Sequence, residues 1–184
     1  MAHDDRAAAP DIPTGAIPEA GALGRAIDRL GLIFAFGIVA SAGMLLIEIV
    51  MRYGLNAPTF WAHETVIFVN ATAFVFGGLY AVARNAHIRV VLIYDRLSDR
   101  VRQRVDMLIS MVCLVATVFF GWASWLSLTR AVWTPTGEIR LEGSGSAWNP
   151  PTPGLLKVFL FVVLCVMAVQ FAVLAWNYAC KGSR

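Results

Sequence analysis

RNAHIRVVLIYDRLSDRVRQR, residues 84–104, decides the fold. It holds six of the chain's fifteen basic residues: Arg84, Arg89, Arg96, Arg100, Arg102 and Arg104. Long apolar runs flank it on both sides. A basic connector between two apolar spans stays on the cytoplasmic side, because Lys and Arg near span ends resist translocation. The stretch therefore sets the direction of every other helix.

Composition agrees with that reading. Of 184 residues, 58% are hydrophobic and 15% charged, against about 45–50% and about 25% in soluble domains. The net charge is +3, but the arginines gather between spans and no aromatic-basic surface accompanies them, which argues against nucleic acid. Cys113, Cys165 and Cys180 all lie in apolar runs, without disulfide or metal-ligand spacing. Residues 1–24 are rich in Ala, Pro and Asp and no apolar core precedes Leu30, so the expectation is a flexible cytoplasmic tail and no cleavable signal.

Four uncharged runs mark the spans: Leu30–Ile47 with 18 residues, Thr65–Ala83 with 19, and Met107–Thr129 and Val158–Cys180 with 23 each. Each suffices for one crossing of a ~30 Å hydrocarbon core. Backbone groups in lipid must bond within their own segment, so the spans are helices. The expectation is an all-α integral membrane protein whose membrane domain covers 25–184. Its helices fall at about 28–52, 61–84, 103–130 and 154–180, with an interfacial segment at 86–97 and an external loop at 130–154. The basic flanks are Arg25 and Arg29, the six connector arginines, and Lys181 with Arg184. They place both termini in the cytoplasm.

The connectors carry further expectations. Gly54, Asn56 and Pro58 predict a tight turn that makes the first two helices antiparallel neighbours. In the long loop the Gly-Ser run at 143–146 predicts flexibility, and Pro150, Pro151 and Pro153 stiffen the approach to the last helix. Ile88–Tyr94 is too short to span and suits the membrane interface. Ser98 then predicts an N-cap. Leu97, Val101, Val105 and Leu108 fall at helical spacing, with Arg96, Arg100, Arg102 and Arg104 off that stripe.

From Glu48 to Leu97 the chain resembles the small membrane subunit, DctQ type, of the tripartite ATP-independent periplasmic (TRAP) transporters. The resemblance rests on Arg52-Tyr53 after the first span, then Pro58 and Trp61 in the turn, then Glu64 opening the second span. It continues in Gly77-Gly78, Ala81, Arg84, His87-Ile88, Leu92 and Tyr94-Asp95-Arg96-Leu97. Val91, Asn70 and His63 depart from residues that family often shows. The resemblance implies a small scaffold subunit beside a large multi-span membrane subunit, with a periplasmic solute-binding protein that delivers an organic acid for sodium-driven uptake. It implies no cofactor.

The remaining groups point away from catalysis. His3, His63 and His87 are the three histidines, and the topology separates the last two, so neither an enzyme's convergent groups nor haem ligation is supported. Glu48 and Arg52 share a helix face, and the turn predicts that Glu64 flanks Arg52 on its other side. These groups sit at span ends rather than at the midplane, which favours a structural ion pair. Asn70, Thr72, Thr117 and Gln170 suit interhelical hydrogen bonds, Gly77-Gly78 suits close helix approach, and most of the tryptophans flank span ends as interface anchors do. The alternative from another class is a self-sufficient, homo-oligomeric small transporter or channel.

The arginine asymmetry generates a topology test. In a cysteine-free background, an impermeant thiol reagent outside intact cells should label a cysteine placed at Ser144 and spare one placed at Ser98. The reverse pattern would invert the assignment.

Overall fold

The computed structural model describes residues 15–84, 98–134 and 136–181. The expected interfacial segment, with His87, Arg89 and Arg96, lies outside the described residues, as does the chain up to residue 14; of Arg100 only the backbone is described. Among the described residues four helices are long and apolar enough to cross a membrane. They are α1 (Gly21–Ile49), α2 (Phe60–Ala83), α3 (Asp99–Val132) and α4 (Thr152–Lys181). A 3-10 turn, Pro18–Ala20, precedes α1, and a π-helical turn, Val50–Gly54, follows it.

The ends of these helices follow local chemistry. Ser98 stands at the N-cap of α3 in extended conformation, as expected, but its hydroxyl makes no capping bond. The chain leaves α1 through Asn56, whose φ of 51° is left-handed, a conformation that asparagine tolerates better than most residues. The bond from Ala57 N to Met51 O at 2.9 Å closes that turn.

The helices form two antiparallel hairpins. α1 packs on α2, α3 packs on α4, and α2 joins the pairs by packing on α4. The start of α1, the end of α2, the start of α3 and the end of α4 share one end (the terminal end), and the α1–α2 turn and the described residues between α3 and α4 share the other (the loop end). Apolar packing concentrates toward the terminal end. Ile27, Phe76, Leu79, Ala83 and Val163 form one cluster, and Val82, Phe171 and Leu174 a second. Phe34 stacks on Phe76 at 4.1 Å and tilts against Phe159 at 6.0 Å, bringing α1 against α4. Elsewhere α1 turns Leu32, Ile33, Phe36, Val39, Leu46 and Ile47 outward. In a bilayer that face meets acyl chains, so burying it within the protein brings little gain.

The α3–α4 seam is small and polar. Ser110, Thr117, Ser124 and Ala131 recur every seven residues on α3 and are all buried. Small side chains at that spacing let two helices approach closely. Ser110 and Thr117 donate back to Asp106 O at 2.8 Å and Cys113 O at 2.7 Å, so their hydroxyls are satisfied within α3. Gln103, one further heptad toward the N-terminus, donates to Tyr178 O at 2.8 Å.

Three expectations are corrected. The flexible tail does not extend to residue 24: Ile17 N donates to Ala83 O at 3.2 Å, and Asn177 Nδ2 and Gln170 Nε2 donate to Glu19 O at 2.7 Å and Ala20 O at 3.2 Å. These bonds satisfy backbone groups at the start of α1, and Gln170 is fully buried. The Gly-Ser run is tied in place. Ser144 N donates to Pro150 O at 3.0 Å, Gly145 N to Asn149 Oδ1 at 2.9 Å, and Ser146 Oγ accepts Trp148 N and Asn149 N. Gly77 and Gly78 have no neighbouring atom within 4 Å of where a Cβ would sit, so they admit no close approach within this chain.

Close approach occurs instead at Gly31, where a Cβ would lie 2.5 Å from Tyr80 Cε2. Gly31→Ala should destabilise the detergent-solubilised chain by about 1–3 kcal/mol, a cost typical of overpacking. Thermal unfolding of Gly31→Ala, Tyr80→Ala and the double variant checks this. The double variant should lose less than the sum, and strict additivity would show that the ring does not press on Gly31.

Candidate functional site

Polar chemistry collects at two levels of the α1–α2 hairpin. Asp28 and Glu48 lie twenty residues apart on α1, about 30 Å of helix, which matches the hydrocarbon thickness. Each acid meets α2 at one end of that interval.

At the loop end, Glu48 is buried, with 6% exposure. Its Oε1 accepts Arg52 Nη2 at 2.6 Å and Nε at 3.1 Å, one turn on along the same helix. Its Oε2 accepts Thr59 N at 3.0 Å and also the Thr59 hydroxyl. Thr59 is the N-cap residue of α2, so a carboxylate from one helix caps the start of the next, where the helix dipole favours negative charge. Arg52 itself is half exposed, its guanidinium reaching out from this buried acid.

Glu64 does not flank Arg52, which corrects the expected bridge of two acids around one arginine. Its Oε1 accepts the Ser144 hydroxyl at 3.1 Å, from the long loop, and its Oε2 is buried with no hydrogen-bond partner among the described residues. The reason is in the turn: Glu48 is drawn to the N-cap at Thr59, and Glu64 lies further along α2, where the returning loop meets it.

Other expected residues frame this level. Pro58 and Trp61 line a cavity of about 510 Å3 with Thr59, Phe60, Ala147 and Trp148, open to the surroundings. Tyr53 is 82% exposed and His63 is exposed. In mid-span, Asn70 Oδ1 accepts Ser41 Oγ at 2.9 Å, joining α1 to α2, and Thr72 bonds carbonyls of its own helix.

At the terminal end, Arg84 Nε donates to Asp28 Oδ1 at 2.7 Å, and its guanidinium lies 4.6 Å from the Tyr80 ring centroid. The bond to Asp28 raises the Arg84 pKa above its ordinary value. The ring, seated on Gly31, gives the arginine a flat surface for a cation–π contact. Arg102 and Arg104 are exposed.

Sequence reasoning reached Glu48, Arg52, Glu64 and Arg84 but missed Asp28, Thr59 and Ser144. Asp28 was open to discovery, because an acid placed one bilayer thickness before Glu48 on the same helix is a signal. Ser144, eighty residues from Glu64, carried none. Among the described residues no group of three or more His, Cys, Asp or Glu side chains could hold a metal ion. Chemically, the two clusters fix the rotation and register of α1 against α2.

Residues 41–181 match the family described as tripartite ATP-independent periplasmic transporters, DctQ component. The chain is 25% identical over 111 residues to the C4-dicarboxylate TRAP transporter small permease protein DctQ of Vibrio cholerae serotype O1 (strain ATCC 39315 / El Tor Inaba N16961). The aligned stretch is 58% of this chain and 48% of that protein, so the chain spans about half the length of the curated relative it matches.

The loop-end geometry ranks three substitutions. Glu48→Ala strands Arg52 and both Thr59 donors, so it should lower thermal stability more than Arg52→Ala or Glu64→Gln. In double-mutant cycles Glu48 and Arg52 should couple, and Arg52 and Glu64 should add within about 0.5 kcal/mol. Strong coupling between Arg52 and Glu64 would contradict the observed pairing.

Proposed function

The chain belongs to the DctQ component family of the TRAP transporters, and from that premise we propose that it serves as the scaffold for a larger transporting membrane subunit in sodium-coupled uptake of an organic acid. It is a multi-pass inner-membrane protein and a small permease component. In the proposed system both termini and the basic connector face the cytoplasm, and the 133–151 loop faces the periplasm, where a solute-binding protein delivers its cargo. A carboxylate-bearing solute is in keeping with the C4-dicarboxylate system named for the Vibrio cholerae relative.

The observation that carries the scaffold reading is how the mid-span polar groups are used. Ser41 bonds Asn70, Thr72 and Thr117 bond carbonyls of their own helices, and Gln170 bonds Ala20 O. A solute path needs polar side chains turned toward a shared, wet cavity. Here they join or stiffen helices. Two of the cavities lie at the loop end, one among residues 58–61 with 147–148 and one among residues 130–151.

Reconstitution tests this. In liposomes with a sodium gradient, the chain alone should give no uptake of a labelled C4-dicarboxylate. Addition of a large TRAP membrane subunit and its solute-binding protein should restore it. Sodium-driven uptake by the chain alone would establish the self-sufficient transporter instead.

A further inference from the structure

The loop end holds a second cavity, of about 370 Å3, where α3 meets the returning hairpin. Arg130 and Arg140 both line it, with Trp133, Glu142 and Asn149. Ten residues separate the two arginines in sequence, and the hairpin brings them together. Trp133 and Ile139 pair as an antiparallel bridge, Arg140 N donates to Val132 O at 2.8 Å, and Glu142 N donates to Ala131 O at 2.9 Å. Arg140 therefore lies across the hairpin from the last turn of α3, which carries Arg130.

Among the described residues neither arginine makes an ion pair. Among the described lining residues the carboxylate is Glu142, and Lys157 engages it. Asn149 accepts Gly145 N through its side-chain oxygen and keeps its amide nitrogen as a donor. Arg130 and Arg140 are both exposed where they line this open cavity, and like charges on one concave wall favour an anion there over a cation. Arginine's planar fork matches the paired oxygens of a carboxylate or phosphate. The volume falls at the small end of ligand sites, which run about 300–1,000 Å3.

We propose that Arg130 and Arg140 form an oxyanion-binding pocket that takes one carboxylate or phosphate group, presented by a small soluble molecule or by a phospholipid headgroup. Arg130 directly follows the uncharged run 107–129, so the pocket sits at the level where headgroups and soluble anions both have access. The pocket's chemistry stands independently of the transport reading.

The full-length chain in nanodiscs of neutral phosphatidylcholine tests it. Inorganic phosphate, and separately succinate, are titrated at constant ionic strength against a chloride control while the unfolding midpoint is followed. The wild type should show a saturable rise, and Arg102→Gln should keep it. Arg130→Gln/Arg140→Gln should abolish it, and Arg130→Lys/Arg140→Lys should weaken it about fivefold or more, because a point charge does not replace the fork. Discs containing phosphatidylglycerol separate the sources. Loss of the rise, together with a phosphatidylglycerol retained by the wild type but not by the Gln pair in native mass spectrometry, identifies the headgroup. A rise that persists identifies the soluble anion. The proposal is overturned if the wild type shows neither a rise nor arginine-dependent lipid retention, or if either double variant behaves as the wild type.

Discussion

The carboxylate of Glu48 serves two helices at once, and the arrangement of the α1–α2 hairpin depends on it. One oxygen holds Arg52 on its own helix, and the other receives the N–H and hydroxyl of Thr59 at the start of α2. In water such bonds would exchange with solvent at little net gain. At the edge of the hydrocarbon, with the acid buried, each donor left unpaired is costly. The hairpin is therefore pinned where the chain enters its turn. Asp28 and Arg84 pin it again about 30 Å away, so α2 is held at both ends against one face of α1.

The α3–α4 hairpin is held by a different means. Its seam of Ser110, Thr117, Ser124 and Ala131 is buried, uncharged and small. Lipid tails are as apolar as leucine, so helices in a bilayer associate through close packing and hydrogen bonds rather than by removing surface from water. The two hairpins meet through α2 and α4, and the strongest apolar packing lies toward the terminal end, where the 3-10 turn before α1 is also tied down by Gln170 and Asn177. The loop end is joined by polar contacts instead, with Ser144 on Glu64 and Lys157 on Glu142.

This division is in keeping with the proposed scaffold role. Ser41, Asn70, Thr72 and Thr117 spend hydroxyl or carbonyl groups on bonds within and between helices, and Arg130 and Arg140 stand at the loop end. The outward faces of α1 and α3 are bulky and apolar, as Phe36 and Phe119 illustrate, and need nothing more than lipid or an apolar helix against them.

By itself the sequence determined how many helices cross the bilayer, roughly where they start and stop, and that Glu48, Arg52, Glu64 and Arg84 belong at its edges. Those features follow from the exclusion of charge from a water-free layer of set thickness, a constraint that acts on each residue separately and is written in composition and spacing. Only the tertiary structure decided which groups meet. Glu64 pairs with Ser144 rather than Arg52, Tyr80 rests on Gly31 while Gly77 and Gly78 face away, and Arg140 folds back beside Arg130. Such pairings depend on the rotation of each helix about its axis and on the return path of a loop. Neither is encoded in a hydrophobic run that is apolar on every side, because such a run has no face to orient it.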